Sequence, residues 1–270
     1  MEKKNSLKFG ACIDTLYTEL PWEKRFTAAK KDGFDCVEFW DWRTIDLEAT
    51  RHFADEAGIR ISGFNGDADY SLVDPAHKTR YLDELKRSLE AAQILGAPSV
   101  TIHSNALGEG GIVTDHYTGL SETVKICSMY DTLLASVKLA EAAGIQLNLE
   151  ALNIYTDHAG NFLQSTRMGA EICRLIGSPK LKLLYDVYHM QINEGRICDH
   201  LKNYGNYIGH IHIADVPGRH EPGTGEIRYE YVCRFLHEMG YSGIIGCELF
   251  PKTDTATAVK AIMGLKAAYE

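Results

Sequence analysis

The sequence lacks the features that would assign the protein to a membrane, a secretory route or a nucleic acid. Its 270 residues contain no run of about 18 apolar residues, so we expect no membrane partner. The opening "MEKKNSLKFG" has no apolar core of the kind found in signal peptides. The formal net charge is −9 and no Lys/Arg cluster dominates, so we expect no nucleic-acid partner.

Paired cysteines are missing as well. The seven cysteines are scattered, odd in number and never arranged as CxxC, whereas disulfide frameworks and zinc knuckles use even or closely spaced sets. We therefore predict reduced thiols in a cytoplasmic protein.

A GxGxxG turn is also absent after the first predicted strand, where "GACIDTLYTE" stands, and this disfavours a dinucleotide-binding open sheet.

Short apolar runs alternate with longer amphipathic runs along the whole chain. The predicted strands are 7–13, 36–39, 59–64, 99–103, 146–150, 181–186, 208–214 and 243–248. The predicted helices are 21–32, 46–57, 76–95, 121–143, 165–176, 198–206, 229–239 and 254–269. Eight units average about 34 residues, the size of one βα unit. We therefore predict an α/β protein with one (β/α)8 TIM barrel domain over residues 1–270, and a functional lid at the long connection 104–119.

Polar side chains stand at the ends of four consecutive predicted strands. The fifth strand ends in Glu150, the sixth ends in Asp186, the seventh carries His212 and the eighth ends in Glu248. Because the carboxyl ends of barrel strands meet at one face, these groups are predicted to converge there. Bringing three carboxylates and an imidazole together costs free energy through charge repulsion and loss of solvation, unless a cation binds between them. A set rich in oxygen and free of thiolate favours Mn²⁺ or Mg²⁺, with Co²⁺ also open.

Further polar residues are predicted near the same face. His103 ends the fourth strand, His189 follows the sixth in a segment read as a loop, and Arg219 lies in a Pro/Gly-rich loop after the seventh. The plainer interpretation of His103 is a hydrogen-bonded strand end, and that of the loop that contains Arg219 is a solvated turn. Trp40 and Trp42 follow the second strand and are predicted either to form a wall of the pocket or to pack in the core.

Several motifs resemble those of one enzyme family. They are "RFTAAKKDGFDCVEF" (25–39), "LEALN" (149–153), "YDVYHMQINEG" (185–195), "GHIHIADVPGRHEPGTGEI" (209–227) and "GCELFPK" (246–252). Together they resemble the hydroxypyruvate isomerase family within the xylose-isomerase-like barrel superfamily.

The resemblance implies a cofactor and roles for individual residues. It implies one divalent ion held by Glu150, Asp186, His212 and Glu248. It further implies that Glu150 and Glu248 transfer the proton, and that His189 and Arg219 contact the substrate. His103 is our additional candidate for a substrate contact. The expected partner is a small sugar or hydroxy-keto acid, and a homo-oligomer is left open.

The leading hypothesis is a metal-dependent isomerase acting through an enediolate on hydroxypyruvate, a 2-oxo-tetronate or a short ketose. The alternative is a ketose 3-epimerase. His212 favours the epimerase because some isomerase relatives carry glutamine there, whereas Thr156 disfavours it because epimerases carry glutamate there. A metal-dependent abasic-site endonuclease is disfavoured by the acidic charge. A sugar-binding barrel without catalysis is the remaining alternative.

Overall fold

The computed structural model describes residues 6–269, and eight parallel strands form the centre of the protein. Each strand is short and almost entirely buried, as expected for parallel strands that are covered on both faces. The strands are β1 (Lys8–Cys12), β2 (Cys36–Phe39), β3 (Arg60–Phe64), β4 (Ser99–His103), β5 (Gln146–Glu150), β6 (Leu181–Asp186), β7 (Ile208–His212) and β8 (Ile244–Cys247). They pair in the order β3-β2-β1-β8-β7-β6-β5-β4. The predicted TIM barrel is confirmed.

The sheet closes almost completely where β3 meets β4, and we call this junction the seam. Just beyond β3, Asn65 forms an isolated parallel bridge with Thr101, and the Gly66 amide donates to the Thr101 carbonyl oxygen at 2.7 Å. Close approach is possible because Gly63 has no side chain. A Cβ placed there would lie 2.9 Å from the backbone oxygen of Ser99.

Helices surround the barrel and connect its strands. They are α1 (Trp22–Lys31), α2 (Leu47–Ala57), α3 (Lys78–Leu95), α4 (Glu122–Ala143), α5 (Thr166–Ile176), α6 (Val187–Asn193), α7 (Ile197–Tyr204), α8 (Tyr229–Glu238) and α9 (Thr255–Ala267). Side chains of Asp46, Ser121, Ser165 and Asp254 cap four of the helix amino termini. Among residues 6–269, no helix is both long enough and apolar enough to cross a membrane.

The segment after β6 differs from its prediction as a loop, because it forms α6. Asp186 is the last residue of β6 and also the N-cap of α6, where its Oδ1 accepts from the amides of Tyr188 at 2.7 Å and His189 at 3.3 Å. The helix has only seven residues and its first four are buried, so it shows no amphipathic repeat. Its position leaves Asp186 Oδ2 free to face the barrel mouth.

The predicted lid at 104–119 folds back on itself above the barrel. Leu107 and Val113 form an antiparallel bridge, and the Gly108 amide donates to the Ile112 carbonyl oxygen at 2.7 Å. The buried Asn105 accepts from the Phe162 amide at 2.9 Å, which ties this segment to the loop after β5. A lid function for the segment stays a prediction.

Candidate metal centre and active site

Glu150, Asp186, His212 and Glu248 come together at the carboxyl end of the barrel. One potential ligand atom from each lies within 4.8 Å of the others. Strand register explains the arrangement: Asp186 pairs with His212 across β6 and β7, and His212 pairs with Gly246, two residues before Glu248. All four side chains are nearly inaccessible to solvent. The structure therefore gathers the four residues, and their role as ligands stays a prediction.

The chemistry of this cluster fits a divalent cation. Glu150 Oε1 and His212 Nδ1 are buried atoms without a hydrogen-bond partner among the described residues, and both belong to the cluster. Burying such atoms unpaired is costly, and a cation bound between them would satisfy both. Three carboxylates with one imidazole match Mn²⁺ or Mg²⁺ better than a thiol-preferring metal.

Glu38 lies behind His212, inside the barrel. Its Oε1 is 3.1 Å from His212 Nε2 and its Oε2 is 3.0 Å from His210 Nε2. Burial opposes ionisation, but His212 and His210 lower the pKa of Glu38 below its usual value. Glu38 fits beside His212 because residue 246 is a glycine. A Cβ at that position would lie 2.1 Å from Glu38 Oε1 and would displace the carboxylate. A carboxylate on the far nitrogen of a metal-binding histidine fixes which nitrogen faces the metal.

Glu150 is held by a buried chain of two residues, His103 and Asp67. His103 pairs with Glu150 across β4 and β5, and its Nε2 lies 3.2 Å from Glu150 Oε2. Its Nδ1 lies 2.9 Å from Asp67 Oδ1. Although burial opposes protonation, Asp67 and Glu150 raise the pKa of His103 to about 10. Both ring nitrogens therefore face carboxylates, and the substrate contact predicted for His103 stays a prediction.

Glu248 receives hydrogen bonds from two sides. Trp40 Nε1 donates to Oε1 at 2.5 Å, and Arg219 Nη2 donates to Oε2. Burial alone would raise the pKa of Glu248, yet Arg219 and His212 hold it well below its usual value. Arg219 Nη2 also lies 3.8 Å from Asp186 Oδ2, so one guanidinium reaches two members of the cluster. Trp40 therefore forms part of the pocket wall, whereas Trp42 donates to Ser88 on α3.

His189 lies directly above the cluster. Its Nε2 is 3.5 Å from Asp186 Oδ2 and 3.9 Å from Glu150 Oε1. Burial and the nearby positive charge of Arg219 lower the pKa of His189 well below its usual value, which keeps the ring neutral. Its Nδ1 contacts Asn153, a residue that sequence reasoning did not single out.

A cavity of about 620 Å³ opens above these residues, and its lining includes Trp40, His103, Leu107, Tyr188, Arg219 and Phe250. That volume is typical of a small-molecule site. Three residues at or behind this site were not predicted as site residues: Glu38, Asp67 and Asn153. Glu38 could have been predicted from strand alternation. It lies two residues before Trp40, and residues two apart along a strand point to the same face. Asp67 and Asn153 lie in loops, where no periodicity marks them.

Known proteins resemble this chain over most of its length. A family model described as "Xylose isomerase-like TIM barrel" matches residues 26–267. The 2-oxo-tetronate isomerase of Cupriavidus necator is 31% identical, covering 93% of this chain and 96% of that protein. The hydroxypyruvate isomerase of Escherichia coli is 28% identical, covering 94% of this chain and 97% of that protein.

Solved structures resemble the fold at lower sequence identity. A protein described as an AP endonuclease, family 2, from Brucella melitensis has a TM-score of 0.87 and 22% identity, covering 96% of this chain and 98% of that one. A structure of L-ribulose 3-epimerase has a TM-score of 0.80 and 21% identity, covering 97% of this chain and 95% of that one. At these identities the likeness supports the barrel fold alone.

Proposed function

This chain belongs to the xylose isomerase-like TIM barrel family, and on that premise we propose a divalent-metal-dependent isomerase of a small hydroxycarbonyl compound. Its curated relatives are isomerases. The observation that carries the proposal is the convergence of Glu150, Asp186, His212 and Glu248, with ligand atoms within 4.8 Å of one another. These four side chains would hold the cation, which is Mn²⁺ or Mg²⁺ by the ligand preference already given, with Co²⁺ also open.

The reaction requires removal of a proton from a carbon next to a carbonyl group. A bound cation would supply Lewis acidity that stabilises negative charge developing on the substrate oxygens. Glu150 is the last residue of β5 and Glu248 directly follows β8, so the two carboxylates reach the cluster from different strands. One carboxylate would take the proton from carbon, and it or the other would return a proton, giving net transfer through an enediolate.

Two further side chains would orient the substrate. Arg219 is held over the ring of Tyr188, with Cζ 5.3 Å from the ring centre, so its guanidinium has a defined position at the cavity wall. His189 is neutral and aims Nε2 at the cluster, where it can donate to a substrate oxygen. Because His189 is buried and Arg219 is mostly buried, water competes poorly for such hydrogen bonds.

The names of the curated relatives suggest the substrate class. They are a 2-oxo-tetronate isomerase and a hydroxypyruvate isomerase, so we propose a small hydroxy-keto acid or short ketose as substrate. Proton return to the neighbouring carbon gives an isomerase. Return to the same carbon on its other face gives a ketose 3-epimerase, which is the alternative outcome.

The test is a screen of three- to six-carbon hydroxycarbonyl compounds for Mn²⁺-dependent exchange with D₂O. We expect deuterium at the original carbonyl carbon, which receives the returned proton, together with an isomerised product. Deuterium confined to C3 of a ketose would replace this proposal with the epimerase. Tight sugar binding without any exchange would mean that the protein binds sugars without catalysis, and the proposed enzyme would be rejected.

Glu248→Gln and Glu150→Gln test the proton-transferring pair. We expect each change to abolish measurable turnover, because a neutral amide cannot accept a proton from carbon. Circular dichroism should show an unchanged fold. The matched control is Glu238→Gln at the exposed end of α8, which should retain full kcat. Substantial turnover by either active-site variant would remove that residue from the mechanism.

A further inference from the structure

The side-chain amide of Asn153 has a defined orientation. Its Oδ1 accepts from the backbone amides of Thr156 and Asp157, both at 3.0 Å. Because backbone N–H groups only donate, the oxygen must face them and Nδ2 must face the other way. Nδ2 then donates to Asp157 Oδ2 and to His189 Nδ1, each at 2.7 Å. Asn153 is fully buried, so water does not compete for these bonds.

This orientation determines where His189 carries its hydrogen. An amide nitrogen is a donor only, so His189 Nδ1 must accept, and the single hydrogen of the neutral ring lies on Nε2. Nε2 is the atom that faces Asp186 Oδ2 and Glu150 Oε1. The opposite tautomer would aim a lone pair at those two carboxylates and a hydrogen at the hydrogens of Asn153.

We propose that Asn153 is a positioning residue that holds His189 as its Nε2–H tautomer, so that His189 presents an N–H donor to a substrate oxygen. The identity of the acceptor rests on the proposed function, whereas the tautomer does not. A neutral imidazole donor stabilises developing negative charge on oxygen without giving up its hydrogen. In this view, the loop after β5 contributes to the reaction although Asn153 itself contacts no substrate.

Asp157 provides a charge-conserving way to reverse the hydrogen bond. The double variant Asn153→Asp/Asp157→Asn exchanges the two groups while keeping their combined charge and nearly their volume. An aspartate at 153 still accepts from the two backbone amides, and an asparagine at 157 can donate to it. However, an aspartate cannot donate to His189 Nδ1, so the hydrogen should move to Nδ1. Asp157→Asn alone is the matched control, because Asn153 keeps its orientation.

The experiment begins with ¹⁵N NMR of the imidazole rings in metal-free protein above neutral pH, with the His189 signals assigned by their loss in His189→Gln. We expect an Nε2–H ring in the wild type and the Asp157→Asn control, and a ring protonated at Nδ1 in the exchanged variant. Turnover is then measured on the substrate found by the exchange screen. We expect the exchanged variant to lose on the order of a hundredfold in kcat, with a much smaller change in KM.

The outcomes separate this proposal from the proposed function. A wild-type ring with its hydrogen on Nδ1, an unchanged tautomer in the exchanged variant, or a shifted tautomer with full kcat would each overturn it. Should the exchanged variant fail to fold, Asn153→Ser is measured in its place. The serine is too short to reach His189, so we expect a mixed tautomer population, and an unmixed Nε2–H ring would count against Asn153. The NMR result does not depend on which substrate, if any, the screen identifies.

Discussion

Three of the four proposed ligands are held in place by other buried or half-buried side chains. Glu38 contacts His212, His103 contacts Glu150, and Trp40 donates to Glu248. The strand-end pattern was sufficient to predict that the four side chains converge, because each lies at or next to the end of its own strand. The sequence also predicted His103 and Trp40 near this face, but not their contacts with Glu150 and Glu248 or the contact of Glu38 with His212. Those contacts depend on barrel closure and on loop conformation, which bring together residues far apart in sequence.

The contact between Glu38 and His212 leads to a prediction at this scale. Glu38→Gln replaces a carboxylate whose two oxygens face His210 and His212 at 3.0 and 3.1 Å by an amide that can accept on one oxygen only. We expect Mn²⁺ to bind about tenfold more weakly, because His212 loses the partner that orients its Nδ1 toward the cluster. Isothermal titration calorimetry on apo-protein measures this directly. The control is Glu56→Gln on the surface of α2, and equal affinity in the two variants would contradict the prediction.

At the scale of elements, local sequence identified nearly all of the architecture. Glycines at the carboxyl ends of α2, α3, α4 and α5 have φ between 64° and 76°, as expected for helix-terminating positions. The exception is α6, which follows β6 without a break. It could not be predicted because Asp186 serves both elements and no turn residue separates them.

The seam between β3 and β4 yields a prediction about stability. Gly63→Ala would place a methyl group 2.9 Å from the Ser99 backbone oxygen, so the two strands must move apart. We expect the free energy of unfolding to fall by about 1–3 kcal/mol, as in other overpacked sites. Urea titration checks the value. Gly119→Ala, where the added carbon meets nothing within 4 Å, should cost far less. Equal losses in the two variants would mean that the seam is not tightly packed.

At the scale of the whole molecule, the free energy of unfolding should fall as the pH becomes alkaline. Burial raises the pKa of Cys36, Cys173 and Cys233 from 9.0 to about 12. In the unfolded chain these thiols ionise first, so rising pH favours the unfolded state. Their contribution to stability is complete below about pH 9 and is lost as the pH approaches 12.

The prediction concerns the slope of stability against pH. Above pH 9.0, the free energy of unfolding should fall by about 1.4 kcal/mol per pH unit for each buried thiol. Replacing all three by alanine should make the slope shallower without abolishing it, because burial also raises the pKa of the Cys12 and Cys247 thiols, and the cavities lower stability overall. Urea titrations between neutral and alkaline pH measure both slopes. Cys127→Ala, which removes an exposed thiol, is the control. A triple variant with the wild-type slope would show that other groups cause the loss.

The position of the seam has a consequence for how this protein can diversify. The four proposed ligands stand on one uninterrupted arc, β5 to β8, whereas the seam and the 104–119 segment belong to the arc of β3 and β4. Insertions or exchanges around the seam can therefore reshape the entrance while the arc that carries the four proposed ligands keeps its register. Proteins with this barrel can therefore change their substrate preference while they keep the same reacting groups.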